Sequence, residues 1–235
     1  MNSRSCVVVL SGGQDSTTCL ALALKSYSTV YTIGFQYGQR HGVELQCRSR
    51  ILRSIESVVG TRSLGPDLLV DMKSFGEIAA CSLTDPKVPI AFDERTQLPN
   101  TFVPGRNLVF LTYAAALAWK AGARDIITGV GEADYSGYPD CREETLEALE
   151  KALNLGMQAD FRLVAPLMHR TKKETWELAE ETGGKALVDF IRTETHTCYE
   201  GDHEHLHPWG YGCGRCPACR LREKGWEEYA ASRGI

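Results

Sequence analysis

Close to the N-terminus, Val7-Val8-Val9-Leu10 runs into Ser11-Gly12-Gly13-Gln14-Asp15-Ser16-Thr17-Thr18, and a mostly apolar segment from Leu20 to Leu24 follows. No other stretch restricts the fold as strongly. Four consecutive apolar residues predict a strand covered on both faces, as in a parallel sheet flanked by helices. Gly12 and Gly13 permit positive φ and leave room for close approach to the backbone. Asp15, Ser16, Thr17 and Thr18 suit the cap and first turn of a helix. A strand that enters a helix through a glycine turn offers free N–H groups and the positive end of a helix dipole, so the turn is prepared for an anion such as phosphate. Neither Gly-x-x-x-x-Gly-Lys-Ser/Thr nor Gly-x-Gly-x-x-Gly occurs, so this is not a Walker loop or a dinucleotide fingerprint.

The pattern then repeats. Thr29 to Phe35 predicts a second strand, Gln36–His41 a polar loop, Gly42 to about Val59 a helix, and Leu68 to Val70 a short third strand. Asp125 to Gly129 and Phe161 to Ala165 predict a fourth and a fifth. Alternating strands and helices predict an α/β fold, a Rossmann-like doubly wound parallel sheet of about five strands. Residues 72–105 carry Pro86, Pro89, Pro99 and Pro104 and lack steady periodicity. Leu108 to Ala121 is nearly all apolar and predicts a buried helix. Thr171 with Glu174 makes a capping box opening a later helix, and a closing helix is expected over Leu221–Ser232. From Thr193 the chain turns polar and rich in Cys and His, which divides it into an α/β domain over 1–192 and a small segment over 193–235.

The net charge of −4 gives no support for a broad nucleic-acid surface. The first apolar run is too short for a signal core and no stretch approaches membrane-spanning length, so no membrane is expected and a cytoplasmic location is. Nine cysteines without an export signal argue against a disulfide framework. Cys6, Cys19, Cys47, Cys81 and Cys141 are dispersed and read as small apolar residues.

The other four, Cys198, Cys213, Cys216 and Cys219, share one segment in which Gly212 and Gly214 allow tight backbone. Four thiolates make a closed tetrahedral Zn²⁺ site, structural rather than catalytic. Cys-x-x-Cys-x-x-Cys also fits iron–sulfur ligation, and His196, His203, His205 or His207 could replace one cysteine. Ligands of open parallel sheets bind beyond the C-terminal ends of the strands, which selects the loops Ser11–Thr17, Gln36–His41 and Gly129–Arg142. Arg106 precedes a helix with almost no other charge and suits a carboxylate or phosphate. Lys172, a cation at a helix start, runs against the dipole rule unless an anion sits there too. Glu132, Asp134 and Asp140 crowd one loop and suit Mg²⁺ or a proton, and Tyr135 and Tyr138 in the same loop suit a flat heterocycle.

Ser-Gly-Gly-Gln-Asp-Ser at 11–16 resembles the pyrophosphate (PP) loop of the ATP pyrophosphatase superfamily, whose members cleave ATP between its α- and β-phosphates. Further stretches are Tyr-Gly-Gln-Arg-His at 37–41, Asn-Thr-Phe-Val-Pro-Gly-Arg-Asn at 100–107, Ser-Gly-Tyr-Pro-Asp-Cys-Arg at 136–142, Lys172 with Glu174-Thr-Trp, Thr197-Cys198-Tyr199, and Cys213-Gly-x-Cys-x-x-Cys with Leu221-Arg222. As a set, in order over nearly the whole chain, they resemble the 7-cyano-7-deazaguanine synthase family of queuosine-precursor biosynthesis. The residues between Cys198 and Cys213 form a longer segment than the shortest family versions have.

The resemblance implies a C–N-forming ligase that adenylates 7-carboxy-7-deazaguanine with Mg-ATP, makes the amide from free ammonia, and activates the amide oxygen so that the nitrile forms. It implies catalytic roles for Ser11, Asp15, Ser16 and Lys172. ATP contacts are implied along Leu10, Ser11, Gly12, Gly13, Gln14, Asp15, Ser16, Thr17, Thr18, Cys19 and Leu20. Substrate contacts are implied at Arg106, Glu132, Asp134, Tyr138 and Asp140, with one Zn²⁺ on the four clustered cysteines and a homodimer. A relative that stops at the amide, a tRNA-base thiolase and a non-catalytic nucleotide-binding module are the alternatives.

Overall fold

The computed structural model describes residues 4–234 except 79–80, 85–86, 95–97 and 133–137. Its centre is a five-stranded sheet built from β1 (Ser5–Val9), β2 (Thr29–Gln36), β3 (Leu64–Asp71), β6 (Asp125–Ile127) and β7 (Arg162–Val164). All neighbours run parallel, in the order β3-β2-β1-β6-β7. The remaining strands, β4 (Phe92–Asp93) with β5 (Leu98–Pro99) and β8 (Leu206–His207) with β9 (Gly210–Tyr211), form two small antiparallel pairs outside the sheet. Helices α1 (Gln14–Ser26), α2 (Val43–Val59), α6 (Lys172–Glu194) and α7 (Pro217–Arg233) cover one face, and α4 (Arg106–Ala121) and α5 (Glu143–Met157) the other. A short α3 (Lys73–Ile78) follows β3.

The unbroken apolar run of β1 is explained by these two layers. Cys6, Val8 and Leu10 enter the core beneath α1, α2 and α6, while Val7 enters the core beneath α4 and α5. A strand buried on both faces needs apolar side chains at every position rather than alternate ones. The chain builds outward from β1 through β2 to β3, then returns to β6 on the other side. The switch point therefore lies between β1 and β6, where a doubly wound sheet opens a crevice.

Gly12 is the tightest joint in this arrangement. Its φ is +108°, and an added Cβ would overlap the Glu44 carbonyl oxygen and lie 2.9 Å from the Arg48 amide nitrogen, so only glycine lets α2 seat on the turn after β1. Arg48 is almost fully buried beneath it. Its Nε donates to the Leu10 carbonyl at 2.9 Å and its guanidinium forms a two-pronged ion pair with Asp67 of β3, which also accepts from the Thr32 hydroxyl at 2.6 Å. One side chain thus links the end of β1 and the middle of β2 and β3 to the helix above them.

Three segments differ from the sequence reading. β3 begins at Leu64, well before Leu68, and includes Pro66; it is an edge strand, where a missing N–H is tolerated, and its register shifts between Val30 and Thr32. α4 is not buried all round: Leu111, Ala114, Ala115 and Ala118 face the core, but Tyr113 and Trp119 are exposed because a single outer helix layer covers that face. α7 starts at Pro217, one turn before Leu221, with proline at the first helical position where no N–H is needed.

Replacing Arg48 by Met should leave Asp67 without its cation and the Leu10 carbonyl without its donor. A loss of about 3 kcal/mol is expected in chemical denaturation, the lower end for a broken buried pair because Asp67 keeps some solvent.

Candidate active site

The turn after β1 lies at the switch point and lines a cavity of roughly 320 Å³. Its own hydroxyls shape it. Ser16 Oγ accepts from the Ser11 amide at 3.2 Å, Ser11 Oγ accepts from the Gly13 amide at 3.2 Å, and the two hydroxyls lie 3.1 Å apart. From behind, the His196 amide donates to the Gly12 carbonyl at 3.1 Å. Across the switch point, the strand end at Gly129 passes so close that an added Cβ would lie 2.9 Å from the Ser16 amide nitrogen.

Leu10, Ser11, Gly13, Gln14, Asp15 and Ser16 lie on the cavity wall. Gln14 is almost fully buried, and neither atom of its amide has a hydrogen-bond partner among the described residues. Gly12 lies behind the wall against α2. Thr17, Thr18, Cys19 and Leu20 turn inward: Thr17 Oγ1 donates to the Gly13 carbonyl at 2.8 Å, Thr18 Oγ1 donates to the Gln14 carbonyl at 3.0 Å, and Cys19 and Leu20 join the core.

Lys172 crosses to this turn from the start of α6. Its Nζ reaches both Asp15 oxygens at 2.8 Å, and its side chain is only 8% exposed. The Thr171–Glu174 capping box fixes the helix start that aims it. The misfit of a cation at a helix start is thereby explained, since the charge is carried away to Asp15.

The opposite wall comes from β2, α4 and the segment before α5. Arg106 opens α4 and donates to the Tyr37 hydroxyl at 3.3 Å. Burial works against its charge, but Tyr37, Tyr138 and Asp140 outweigh burial and keep it protonated. Tyr138 lines the cavity, with its hydroxyl 2.5 Å from that of Thr101. Asp140 and Glu132 do different work from the other acids: Asp140 Oδ2 accepts from the Asn107 amide at 3.0 Å at the start of α4, and Glu132 Oε1 accepts from the Glu143 amide at 2.7 Å at the start of α5. Both act as caps for exposed N–H groups of a first turn. Asp134 and Tyr135 lie outside the described residues.

The selected loop Gln36–His41 reaches the wall through Tyr37, Gln39, Arg40 and His41, whereas Glu44 is a wall residue that the sequence does not single out. Glu44, in the first turn of α2, lines the cavity beside His41, and its Oε1 lies over the glycine turn, 3.3 Å from where a Cβ on Gly13 would stand. Burial pushes the Glu44 carboxyl above its ordinary range, against the pull of Ser11, Arg106 and His41. Only the seat of α2 on Gly12 turns Glu44 toward the loop, and no sequence spacing encodes that.

Beside the cavity, Cys198, Cys213, Cys216 and Cys219 bring four sulfurs within 4.8 Å of one another. They form a site that could hold a metal ion. A tetrahedral ion with bonds of about 2.3 Å needs its sulfurs about 3.8 Å apart, and Cys213 Sγ and Cys219 Sγ lie 3.9 Å apart. The Cys216 amide points at Cys213 Sγ at 3.4 Å, as an N–H does toward a metal-bound thiolate. The histidines are engaged elsewhere: His196 with the Cys198 carbonyl and His203, His205 with Asp202, and His207 with the Gly212 carbonyl. The dispersed Cys6, Cys47 and Cys141 are buried, and burial, the largest cause in each, pushes their thiols up to about 12, about 11 and about 12.

Residues 5–230 match the protein-family model described as queuosine biosynthesis protein QueC. The chain is 57% identical over 230 residues to the 7-cyano-7-deazaguanine synthase of Alkalilimnicola ehrlichii, covering 97% of this chain and 95% of the relative. It is 54% identical to that of Nitrobacter winogradskyi, covering 97% and 96%, and 52% identical to that of Rhodopseudomonas palustris, covering 98% and 97%. Among solved structures, it resembles a 4-thiouridine synthetase in complex with RNA and bound ATP, with TM-score 0.52 and 18% identity, covering 98% of this chain and 52% of that one. At that identity the likeness is one of fold.

Replacing Cys216 by Ser should lower bound metal, read by elemental analysis, and loosen the segment around the cysteines, read by amide hydrogen exchange from Thr197 to Ala218. Full metal content with unchanged exchange would remove Cys216 from the ligand set.

Proposed function

The chain belongs to the QueC family of queuosine biosynthesis proteins, and from that membership we propose that it makes 7-cyano-7-deazaguanine from 7-carboxy-7-deazaguanine, ammonia and ATP. The observation that carries the reading is the convergence of Ser11–Ser16, Lys172 and Arg106 on one cavity at the switch point. A carboxylate resists attack by ammonia because its oxygen is a poor leaving group. Attack of that oxygen on the α-phosphorus of ATP expels pyrophosphate and turns the oxygen into part of AMP. The turn after β1 offers N–H groups and a helix N-terminus where negative charge builds on the departing pyrophosphate. Lys172 would share its charge between Asp15 and a phosphate oxygen. Asp15 would also hold Mg²⁺, which would supply further neutralisation of phosphate charge.

Arg106 is set to receive the substrate carboxylate, and Tyr138 to lie against the deazapurine. Gln14, with an unpartnered amide inside the wall, is suited to a polar ligand edge. Asp140 and Glu132 would serve binding indirectly, by holding the starts of α4 and α5. Ammonia then displaces AMP to give the amide. A second adenylation, on the amide oxygen, lets the carbon–oxygen bond break and the nitrile form.

For the metal we propose Zn²⁺. The sulfur spacing suits a single tetrahedral ion, whereas a cubane cluster puts each thiolate on a different iron and spreads the sulfurs further. This favours the synthase over a thiolase with an iron–sulfur centre. We further read residues 1–192 as the nucleotide-binding unit and 193–235 as a metal-stabilised segment packed on it, in a homodimer that works on small molecules in the cytoplasm, without nucleic acid. No helix among the described residues is long and apolar enough to cross a membrane.

Mass spectrometry of products from the carboxylate, ammonia and Mg-ATP tests the reading. Nitrile with AMP and pyrophosphate is expected; amide alone would limit the enzyme to the first half, and unchanged carboxylate would overturn the assignment. Asp15→Ala should keep its fold by circular dichroism and lose roughly 10²–10³-fold in turnover, the scale of one preorganised electrostatic group.

A further inference from the structure

Nitrile formation needs a proton acceptor as much as it needs a leaving group. When ammonia attacks the acyl-adenylate, the new C–N bond forms, the C–O bond breaks with its electron pair leaving on AMP, and the nitrogen must shed one proton. When the adenylated amide collapses, the nitrogen sheds two more as C≡N forms and the second AMP departs. A side chain placed to take these protons speeds both steps.

We propose that Glu44 is that acceptor. The inference rests on the reaction proposed above. Three placements carry it. Glu44 lies on the cavity wall together with Ser11 of the turn after β1. Its Oε1 lies over Gly13, 3.3 Å from where a Cβ on that residue would stand. The other carboxylates described around the site are committed: both Asp15 oxygens to Lys172, Asp140 to the Asn107 amide, and Glu132 to the Glu143 amide. Facing Glu44 are Ser11 from the turn, Asp15 from α1, Arg106 from α4 and His41 from the β2–α2 connection. Among the described residues none of the cations forms an ion pair with it, so its oxygens are not quenched by a fixed counter-charge. Burial also makes the carboxylate a stronger base than one in water, in keeping with the task.

Glu44→Gln tests this, because the amide keeps the shape of the side chain but cannot accept a proton as a carboxylate does. The measurement is nitrile formed per AMP released. The wild type should give one nitrile for each two AMP. The Gln variant should still release AMP from carboxylate and ATP at a rate within a few-fold of wild type, while nitrile formation falls by roughly 10²–10³-fold. Its intermediates would hydrolyse, so AMP accumulates without product. Supplied with the amide directly, it should again release AMP without nitrile. Glu44→Asp, which retains a carboxylate, should recover part of the ratio, and its ratio decides the matter if the Gln variant does not fold.

An unchanged ratio at any rate would overturn the proposal, since a supporting residue slows every step alike. Loss of AMP release together with nitrile, in a folded variant, would also overturn it and assign Glu44 to adenylation. Failure of the wild type itself to form nitrile would instead strike the function proposed above.

Discussion

The ion pair of Asp15 and Lys172 ties together parts of the molecule that are far apart in sequence. Asp15 stands in the first turn of α1, directly after the glycine turn, and Lys172 opens α6. A pair this shielded gains little for stability, because removing two charges from water costs much of what their attraction returns. Its value lies in where it puts the ammonium group, on the cavity wall beside the glycine turn after β1. The pair is further fixed from behind. An added Cβ on Gly225 of α7 would run into the Lys172 side chain and backbone, so α7 lies against the start of α6 at a distance only glycine allows. Since α7 begins at Pro217, immediately after Cys216, the cysteine cluster and the glycine turn after β1 share one mechanical path.

Arg222 strengthens that path. It is fully buried, and its guanidinium donates to the Trp209 carbonyl at 2.9 Å, the Thr197 hydroxyl at 2.8 Å and the Ile191 carbonyl at 2.9 Å. The three acceptors belong to the β8–β9 turn, the irregular segment leading to Cys198, and the last turns of α6. Neutral acceptors satisfy its donors but do not cancel its charge, and burial lowers its pKa to about 10, still far above neutrality. Four thiolates around one divalent ion carry a net charge of −2, and Cys219 is among the groups acting favourably on Arg222. Charge balance in this segment is therefore a shared property of the cysteines and the arginine.

Much of this is legible in the sequence, and the limits of legibility have physical causes. The buried β1, its glycine turn and the four clustered cysteines announce themselves because each feature is local: a continuous apolar run, a backbone freedom, a thiol spacing. β3 was cut short because Gly65-Pro66 disrupts a strand pattern, while an edge position absorbs the disruption. α4 was read as fully buried because composition reports what a helix can bury, not how many layers lie above it. Asp140 and Glu132 looked like ligands because acids in a loop near a site have the same signature whether they bind metal or cap a helix. Glu44 was missed for the converse reason, as one acid among the polar residues of an amphipathic helix, selected only by the contact of α2 with Gly12.

The nearness of the cysteine cluster to the cavity has its own logic. Cys198 lies on the cavity wall, and two residues before it the His196 amide holds the Gly12 carbonyl. The tautomers around it are fixed by neighbours: Arg50 can only donate, so His203 Nε2 accepts, leaving His203 Nδ1–H for His196 Nδ1 and His196 Nε2–H for the Cys198 carbonyl. A metal ion on Cys198 would thus be felt at the turn through only three residues of backbone, braced by a neutral histidine whose burial keeps its pKa down to about 4. Closed coordination suits this task, because an ion with all four positions filled cannot trade ligands with substrate and so holds the wall in one geometry. The glycine turn needs such a brace. Its freedom to adopt positive φ lets α2 and a ligand approach, and the same freedom leaves it undefined unless neighbours on both sides, Arg48 through Leu10 and His196 through Gly12, hold it in place.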